Sequence, residues 1–328
     1  MEATLIYNAS AGGVNQVPVE ALQDALSEAG YYPVYRATSS EADLDLALED
    51  VNGLVVAAGG DGTIRAVATR LLGRNIPLAF LPLGTANNIG KTLGVTAAPL
   101  EIIAGLKDPQ KRRFDVGRVR GPWGEDYFLE GAGYGFYADT LALYDPDKGK
   151  SVLRGLDAVR QALADYKIYR TDMKLDGQDI SGDYLLVEVL NMAAIGPRLK
   201  LAPNADPGDG LFDVVCVHQD AGDQFARFAV SFFSESLEEL PTVEIVRGQK
   251  LEITWVGFPI HIDGEVRPKL DELPAGRLEA RDARLALLGS LGVVITVEIL
   301  PQAIEFWLPP MDQSPAEQSW TPVGETSE

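Results

Sequence analysis

Gly59-Gly60-Asp61-Gly62-Thr63 carries the densest chemical signal in the chain. It separates the apolar run Leu54–Ala58 from a stretch where Ile64, Val67, Ala68, Leu71 and Leu72 recur at helical spacing, ended by Gly73. Glycine tolerates positive φ and lets backbone come close to a ligand. Free N–H groups at the start of the next helix suit phosphate oxygens, so the turn reads as a cradle for a nucleotide phosphate. Asp61 places a carboxylate where a phosphate-bound Mg²⁺ needs a ligand. A plain strand-to-helix turn needs no ligand, and the glycines alone leave both readings open.

Three further polar loops follow strand-like segments. Asn8-Ala9-Ser10-Ala11-Gly12 comes after Leu5-Ile6-Tyr7, Thr38-Ser39-Ser40 after Pro33–Tyr35, and Pro82-Leu83-Gly84-Thr85-Ala86-Asn87-Asn88 after Pro77–Leu81. In an open α/β sheet, ligands bind at the carboxyl ends of the strands, where all four loops would gather. Each loop alone has a structural reading, but four on one edge favour a ligand site.

The elements that must position these loops read in two styles. Residues 1–115 alternate strand and helix: Val19, Leu22, Leu26 and Ala29 share one helical face, and Leu54–Ala58 is apolar throughout, as a strand covered on both faces should be. That order predicts a doubly wound parallel sheet. Over 116–292, short strand candidates dominate (Asp115–Val119, Tyr127–Glu130, Met173–Leu175, Tyr184–Leu190, Leu211–Val217, Val243–Ile245, Leu251–Trp255 and Ile260–Ile262), which predicts a C-terminal antiparallel β-sandwich or barrel interrupted by a helix at 151–164. The fold class is therefore α/β plus β. Val293–Ile299 and Ile304–Leu308 are two more strands that could complete either domain, and the acidic 309–328 tail reads as disordered.

Composition limits the partners. The 328 residues suggest two domains, and a net charge of −20 argues against nucleic acid and against broad adhesion to anionic membranes. Basic residues concentrate at 107–120 and 148–174; both read first as solvated faces, with 148–174 the candidate for transient contact with a membrane surface. One cysteine, Cys216, and two histidines, His218 and His261, fit a reducing, cytoplasmic setting and leave little for a Cys/His zinc site. Any metal should be a hard cation with oxygen ligands. No membrane-length apolar run or signal-peptide pattern is expected, and a homodimer is neither required nor excluded.

With these motifs in hand, the chain resembles the diacylglycerol kinase catalytic-domain family, which includes sphingosine kinases and bacterial lipid kinases. The matching pieces are Asn8–Gly12, Thr38, Gly59–Thr63, Pro82–Asn88, Phe128–Phe136, Asn191–Gly210 and Asp263-Gly264-Glu265, in family order over about residues 1–310. The glycine loop is shared with NAD kinases, whereas the Pro82–Asn88 loop and the late Asp-Gly-Glu favour the lipid branch. The resemblance implies an ATP-dependent kinase acting on a lipid-like alcohol. Asn8, Thr38, Gly59, Gly60, Asp61, Gly62, Thr63, Gly84, Thr85 and Asn88 would hold or border ATP, Asp61 would organise catalytic Mg²⁺, and Glu265 would accept the substrate hydroxyl proton in a cleft between the domains. It also implies a structural Mg²⁺ at Asp206, Asp209 and Leu211, where a plain turn is the alternative.

Three departures stand out. The family usually has Asn-Asp where this chain has Asn87-Asn88, and the missing Asp belongs to the network around the catalytic metal. It often has Asn-Glu where this chain has Arg65-Ala66; Arg65 would either contact ATP or, as the plainer expectation, face solvent. The charged stretch after Glu265 is unusually long. These features admit two alternatives: a catalytically weakened nucleotide- or lipid-binding pseudokinase, and an NAD-kinase-like small-molecule kinase.

Overall fold

The computed structural model describes residues 1–8, 17–38, 40–143, 152–164, 167–196, 199–221, 243–269 and 292–310. The first strands and helices are β1 (Glu2–Asn8), α1 (Val19–Glu28), β2 (Tyr32–Thr38), α2 (Glu41–Leu48), β3 (Leu54–Gly59), α3 (Asp61–Arg70) and β4 (Leu78–Pro82), with α4 (Asn88–Thr92) and α5 (Pro99–Gly105) after them. The four strands pair in parallel in the order β2-β1-β3-β4. Strand order reverses at β1, so a crevice opens beyond the carboxyl ends of β1 and β3, the place where such sheets take ligands. β3 is buried along its whole length, as its unbroken apolar sequence requires.

Two elements missed by hydrophobic periodicity have local causes. α2 begins with a capping box: the Asp43 N–H donates to Ser40 Oγ (3.2 Å) and the Ser40 N–H to Asp43 Oδ2 (3.0 Å). Such a cap contributes about 1 kcal/mol, so Ser40 serves the helix. α4 is only five residues long and is preceded by Asn87, whose φ of 50° is left-handed.

The chain continues through β5 (Gln110–Gly121), β6 (Gly124–Phe128), β7 (Gly131–Gly135), α6 (Phe136–Leu143), α7 (Val152–Ala164), β8 (Tyr169–Thr171), β9 (Met173–Leu175), β10 (Gln178–Asp179), β11 (Gly182–Leu190), β12 (Ala194–Ile195), β13 (Leu199–Lys200), β14 (Phe212–His218), β15 (Val243–Gly248), β16 (Lys250–Trp255), β17 (Ile260–Ile262), β18 (Glu265–Arg267) and β19 (Val293–Leu308). A second, antiparallel sheet has the order β15-β14-β11-β7-β17-β18. The expected parallel domain and antiparallel partner are both present, and their junction is continuous. β5 runs through position 115, and β19 is one strand with an irregularity between Leu300 and Ile304. The start of β19 pairs with β16; its end pairs with β4 through Phe306 and Leu78. Phe306 meets Phe80 and Phe114 edge-on, with ring centroids 5.4 and 5.3 Å apart, which packs the end of β19 and β5 into the core of the parallel region, while the start of β19 packs into a separate core.

β7 lies within the Phe128–Phe136 piece and has glycine at every second position. Its Gly133 lies opposite both Glu188 and His261, and a side chain there would put its Cβ 2.2 Å from Glu188 Oε2. The gap lets Glu188 and the His261 ring, both fully buried, meet at 2.6 Å. The basic run at 107–120 is largely spent within the sheet: Arg118 faces Glu298 and Arg113 faces Glu305 in register, at 2.6 and 3.0 Å, and Lys111 stands over the Trp307 ring. The 309–328 tail beyond residue 310, residues 270–291 of the charged stretch, and residues 148–151 and 165–166 of the 148–174 stretch lie outside the described residues.

Candidate functional site

The parallel register carries the polar loops to one edge. Asn8 is paired with Thr38 at the ends of β1 and β2, and Gly59 with Pro82 at the ends of β3 and β4; residues 9–16 and 39 lie outside the described residues. The two glycine loops touch. A Cβ on Gly84 would lie 2.6 Å from Gly60 Cα, and one on Gly59 would lie 2.5 Å from Thr63 Oγ1. Only glycine permits this backbone-to-backbone contact. Asn87 shapes the second loop from inside: its Oδ1 accepts the Gly84 N–H and its Nδ2 donates to the Gly84 carbonyl, both at 2.9 Å. Thr85 is exposed on that loop.

α3 begins at Gly60 with no side-chain cap. The Thr63 and Ile64 N–H groups bond back to the Gly60 carbonyl, and the helix start faces the crevice as a place for an anion. Asp61 Oδ1 accepts the Ile89 N–H at 3.1 Å, joining α3 to the start of α4.

The Asp263-Gly264-Glu265 segment is the turn between β17 and β18, with φ of 47° and 81° at its first two residues. Asp263 is a brace. Its carboxylate accepts the N–H groups of Leu129, Glu130 and Gly131 at 2.9, 2.9 and 3.0 Å. Burial pushes its pKa up, against the pull of Arg65 and these three donors. Sequence reasoning placed this residue in the motif but gave it no task.

Arg65 does not face solvent. Its guanidinium donates to Glu265 Oε1 and to the Ile262 carbonyl (3.4 Å), and Nε lies 4.0 Å from Asp263 Oδ2. Glu265 Oε2 also meets Arg267 at 3.1 Å and Lys269 at 3.4 Å. Arg267 is itself held by two bonds to Asp126, 2.8 and 3.0 Å long. Burial alone would raise the Glu265 pKa, but Arg65, Arg267 and Lys269 outweigh it and the net direction is down. The candidate base is thus a firmly ionised, weakly basic carboxylate.

Glu130 was overlooked, although an acid inside Phe-Leu-Glu-Gly-Ala-Gly-Tyr-Gly-Phe was a visible anomaly. It is 8% exposed, and Asn88 Nδ2 donates to its Oε2 at 2.9 Å. Asn88 also reaches the Gly196 carbonyl at 2.5 Å. Burial, then Asp263 and Asp61, push the Glu130 pKa well above the usual carboxylate range. Negative charge from Asp263 and Asp61 close to the buried Glu130 suits a divalent cation electrostatically. Among the described residues, no group of three or more His, Cys, Asp or Glu makes a ready metal cage. Mg²⁺ commonly uses one or two carboxylates together with substrate phosphates.

The second proposed cation position lies elsewhere, against β5 and β15. The implied ligands are the Asp209 carboxylate and the carbonyls of Asp206 and Leu211; the Asp206 carbonyl accepts the Asp209 N–H at 3.4 Å, Asp209 Oδ1 accepts the Leu211 N–H at 3.0 Å, and the Arg247 guanidinium sits on Asp209 Oδ2. A cation at Asp209 would have to displace Arg247. The Asp209 carboxylate, as arranged, serves Arg247 and does not fit the implied Mg²⁺.

Comparisons with known proteins show the family and the fold. Residues 2–119 match the "Diacylglycerol kinase catalytic domain" and residues 150–305 the "YegS C-terminal NAD kinase beta sandwich-like domain". A Stenotrophomonas maltophilia protein named "Probable lipid kinase YegS-like" is 30% identical over 250 residues, covering 68% of this chain and 79% of the relative. A Bacillus subtilis diacylglycerol kinase is 28% identical over 243 residues, 69% of this chain and 77% of the relative. The crystal structure of a Bacillus anthracis diacylglycerol kinase aligns over 94% of this chain and 97% of that one, with a TM-score of 0.63 at 19% identity; this likeness concerns the fold. The chain belongs to the diacylglycerol kinase catalytic-domain family of kinases. Among the described residues, no helix is long and apolar enough to cross a membrane.

Proposed function

We propose that this protein is an ATP-dependent lipid kinase that transfers the γ-phosphoryl group to the hydroxyl of a diacylglycerol- or sphingosine-like lipid. The observation that carries this reading is the contact of Arg65, one turn beyond Asp61 in α3, with Glu265, 200 residues away. It brings the carboxylate for the acceptor hydroxyl to the helix that would bear the phosphates.

The hydroxyl oxygen forms a bond to the γ-phosphorus, the bond from that phosphorus to the β,γ-bridging oxygen breaks, and ADP leaves with the electron pair. The hydroxyl proton passes to Glu265. Phosphoryl transfer of this kind is loose, with the proton leaving late, so orienting the hydroxyl matters more than base strength. The lowered Glu265 pKa is compatible with that role. The start of α3 and the Gly60–Gly84 contact would hold the phosphates, with Asn8, Thr38 and Thr85 around the nucleotide. Asp61, with Glu130 nearby, would hold Mg²⁺, which when bound neutralises phosphate charge. We extend the reading to transient membrane contact through 148–174, since most of the 107–120 charges are paired internally.

A second reading, a nucleotide- or lipid-binding pseudokinase, is favoured by one observation: three cations surround Glu265. Radiolabelled ATP offered with a mixed lipid panel, and separately with NAD, decides among them. The expected result is Mg²⁺-dependent label in lipid, lost in Asp61→Ala. ATP binding without label in any acceptor would select the pseudokinase, and label in NAD alone the small-molecule kinase.

A further inference from the structure

Position 88 lacks the carboxylate that the Asn-Asp pattern calls for, yet the missing charge is one side chain away. Asn88 is the first residue of α4, and the N–H of the next residue, Ile89, bonds to Asp61. The Asn88 amide points to Glu130, contributed by the bend between β6 and β7, 42 residues along the chain. We propose that Asn88 and Glu130 form an acid–amide pair with its polarity exchanged, in which Glu130 supplies the negative charge that serves Mg²⁺·ATP beside Asp61. This inference rests on the lipid kinase reading.

Three observations support a built position over an accident of packing. The Glu130 backbone is fixed twice: its N–H is held by Asp263 (2.9 Å), and its carbonyl accepts the Asn191 N–H (3.0 Å). The groups that hold its carboxylate are neutral, namely the Asn88 amide and the Gly196 N–H. Its charged neighbours, Asp61 and Asp263, carry the same sign. A buried acid set among acids costs stability unless a cation joins it, so a purely structural residue here would do better as glutamine. Asn88 is the complementary choice, because a second carboxylate at 2.9 Å from Glu130 Oε2 would repel it.

The test is a double-mutant cycle on wild type, Asn88→Asp, Glu130→Gln and the exchanged pair Asn88→Asp/Glu130→Gln. ATP affinity is titrated calorimetrically with Mg²⁺ and with EDTA, alongside lipid turnover and thermal melting. Glu130→Gln should lose about tenfold of the affinity that Mg²⁺ adds, with binding in EDTA and melting preserved. Asn88→Asp should also weaken Mg²⁺-linked binding, despite restoring the family residue. The exchanged pair should return to within roughly threefold of wild type. If Asn88→Asp does not fold, Glu130→Asp takes its place and should keep more Mg²⁺-linked affinity than Glu130→Gln. Glu130→Gln matching wild type, or an exchanged pair no better than its worse single, overturns the proposal. A flat cycle in a protein that labels lipid defeats this inference alone. The expected cycle in a protein that labels no lipid defeats the lipid reading alone. A wild type without Mg²⁺-linked ATP binding defeats both.

Discussion

On one side of Arg65 stand Gly59, Gly60 and Gly84, where backbone meets backbone; on the other stand the buried Glu130 and Asp263 side chains and the half-buried Glu265, each held by donors from distant segments. The first region excludes side chains so that N–H groups can approach a ligand. The second spends hydrogen bonds to keep acids in place. A site of the first kind should fail by steric intrusion, and one of the second kind by leaving donors or charges without partners.

The largest effect is expected at Gly84. Its Cβ would press on Gly60 Cα at 2.6 Å, backbone against backbone, and misplacing such a loop by about 1 Å can cost about a hundredfold in rate. Gly84→Ala should therefore lose most ATP binding and turnover. Gly62 provides the contrast. No atom lies within 4 Å of a Cβ there, so Gly62→Ala should preserve or raise the melting temperature while weakening ATP binding, because the added methyl occupies ligand space. Equal melting losses in both variants would break the comparison.

Asp263→Asn comes next. The native carboxylate receives donors on both oxygens. An asparagine must turn an NH₂ toward at least one of them, at a cost of about 1–3 kcal/mol. Denaturant unfolding should register that loss, and turnover should fall with it because the turn carries Glu265. An unchanged unfolding midpoint would remove Asp263 as the brace.

Arg65→Met should act more gently and with a pH signature. The folded Glu265 pKa is lowered, since its cations outweigh burial. Its stabilising contribution is therefore full above the ordinary carboxylate value of about 4.3 and is lost as pH falls through the lower folded value. Removing Arg65 lets the folded pKa rise, so the stability gap between wild type and variant should be widest near neutrality and close in acid. The acid limb of turnover should move to higher pH. A gap independent of pH would mean that Arg65 acts through packing.

How much of this could be read in the sequence follows the same division. The glycine turn was legible because strand, turn and helix are contiguous: Leu54–Ala58, Gly59–Thr63 and the apolar face from Ile64 state their own conformation. The parallel and antiparallel sheets were legible for the same reason. β7 was not, since Gly131, Gly133 and Gly135 have no strand propensity and owe their conformation to β11 and β17 on either side. For Arg65 the sequence offers only ATP contact or solvent, because its partner is 200 residues away. Glu130 escaped notice because its meaning depends on Asn88 and Asp263, which only the folded chain brings near it.

The smallest expected effect tests whether charge outside the crevice matters at all. Arg118 and Glu298 lie opposite each other on β5 and β19, their side chains 22% and 25% exposed and 2.6 Å apart. Such a pair contributes about 0.2–1 kcal/mol, since water screens it and two long side chains lose freedom. Arg118→Gln should lower the unfolding midpoint slightly and change turnover less than about twofold. Binding to anionic vesicles should be equally unaffected, because this guanidinium already answers Glu298 within the sheet. A marked loss of vesicle binding would mean that the 107–120 strip, not only 148–174, meets the lipid surface, and that its cross-strand pairs open on contact.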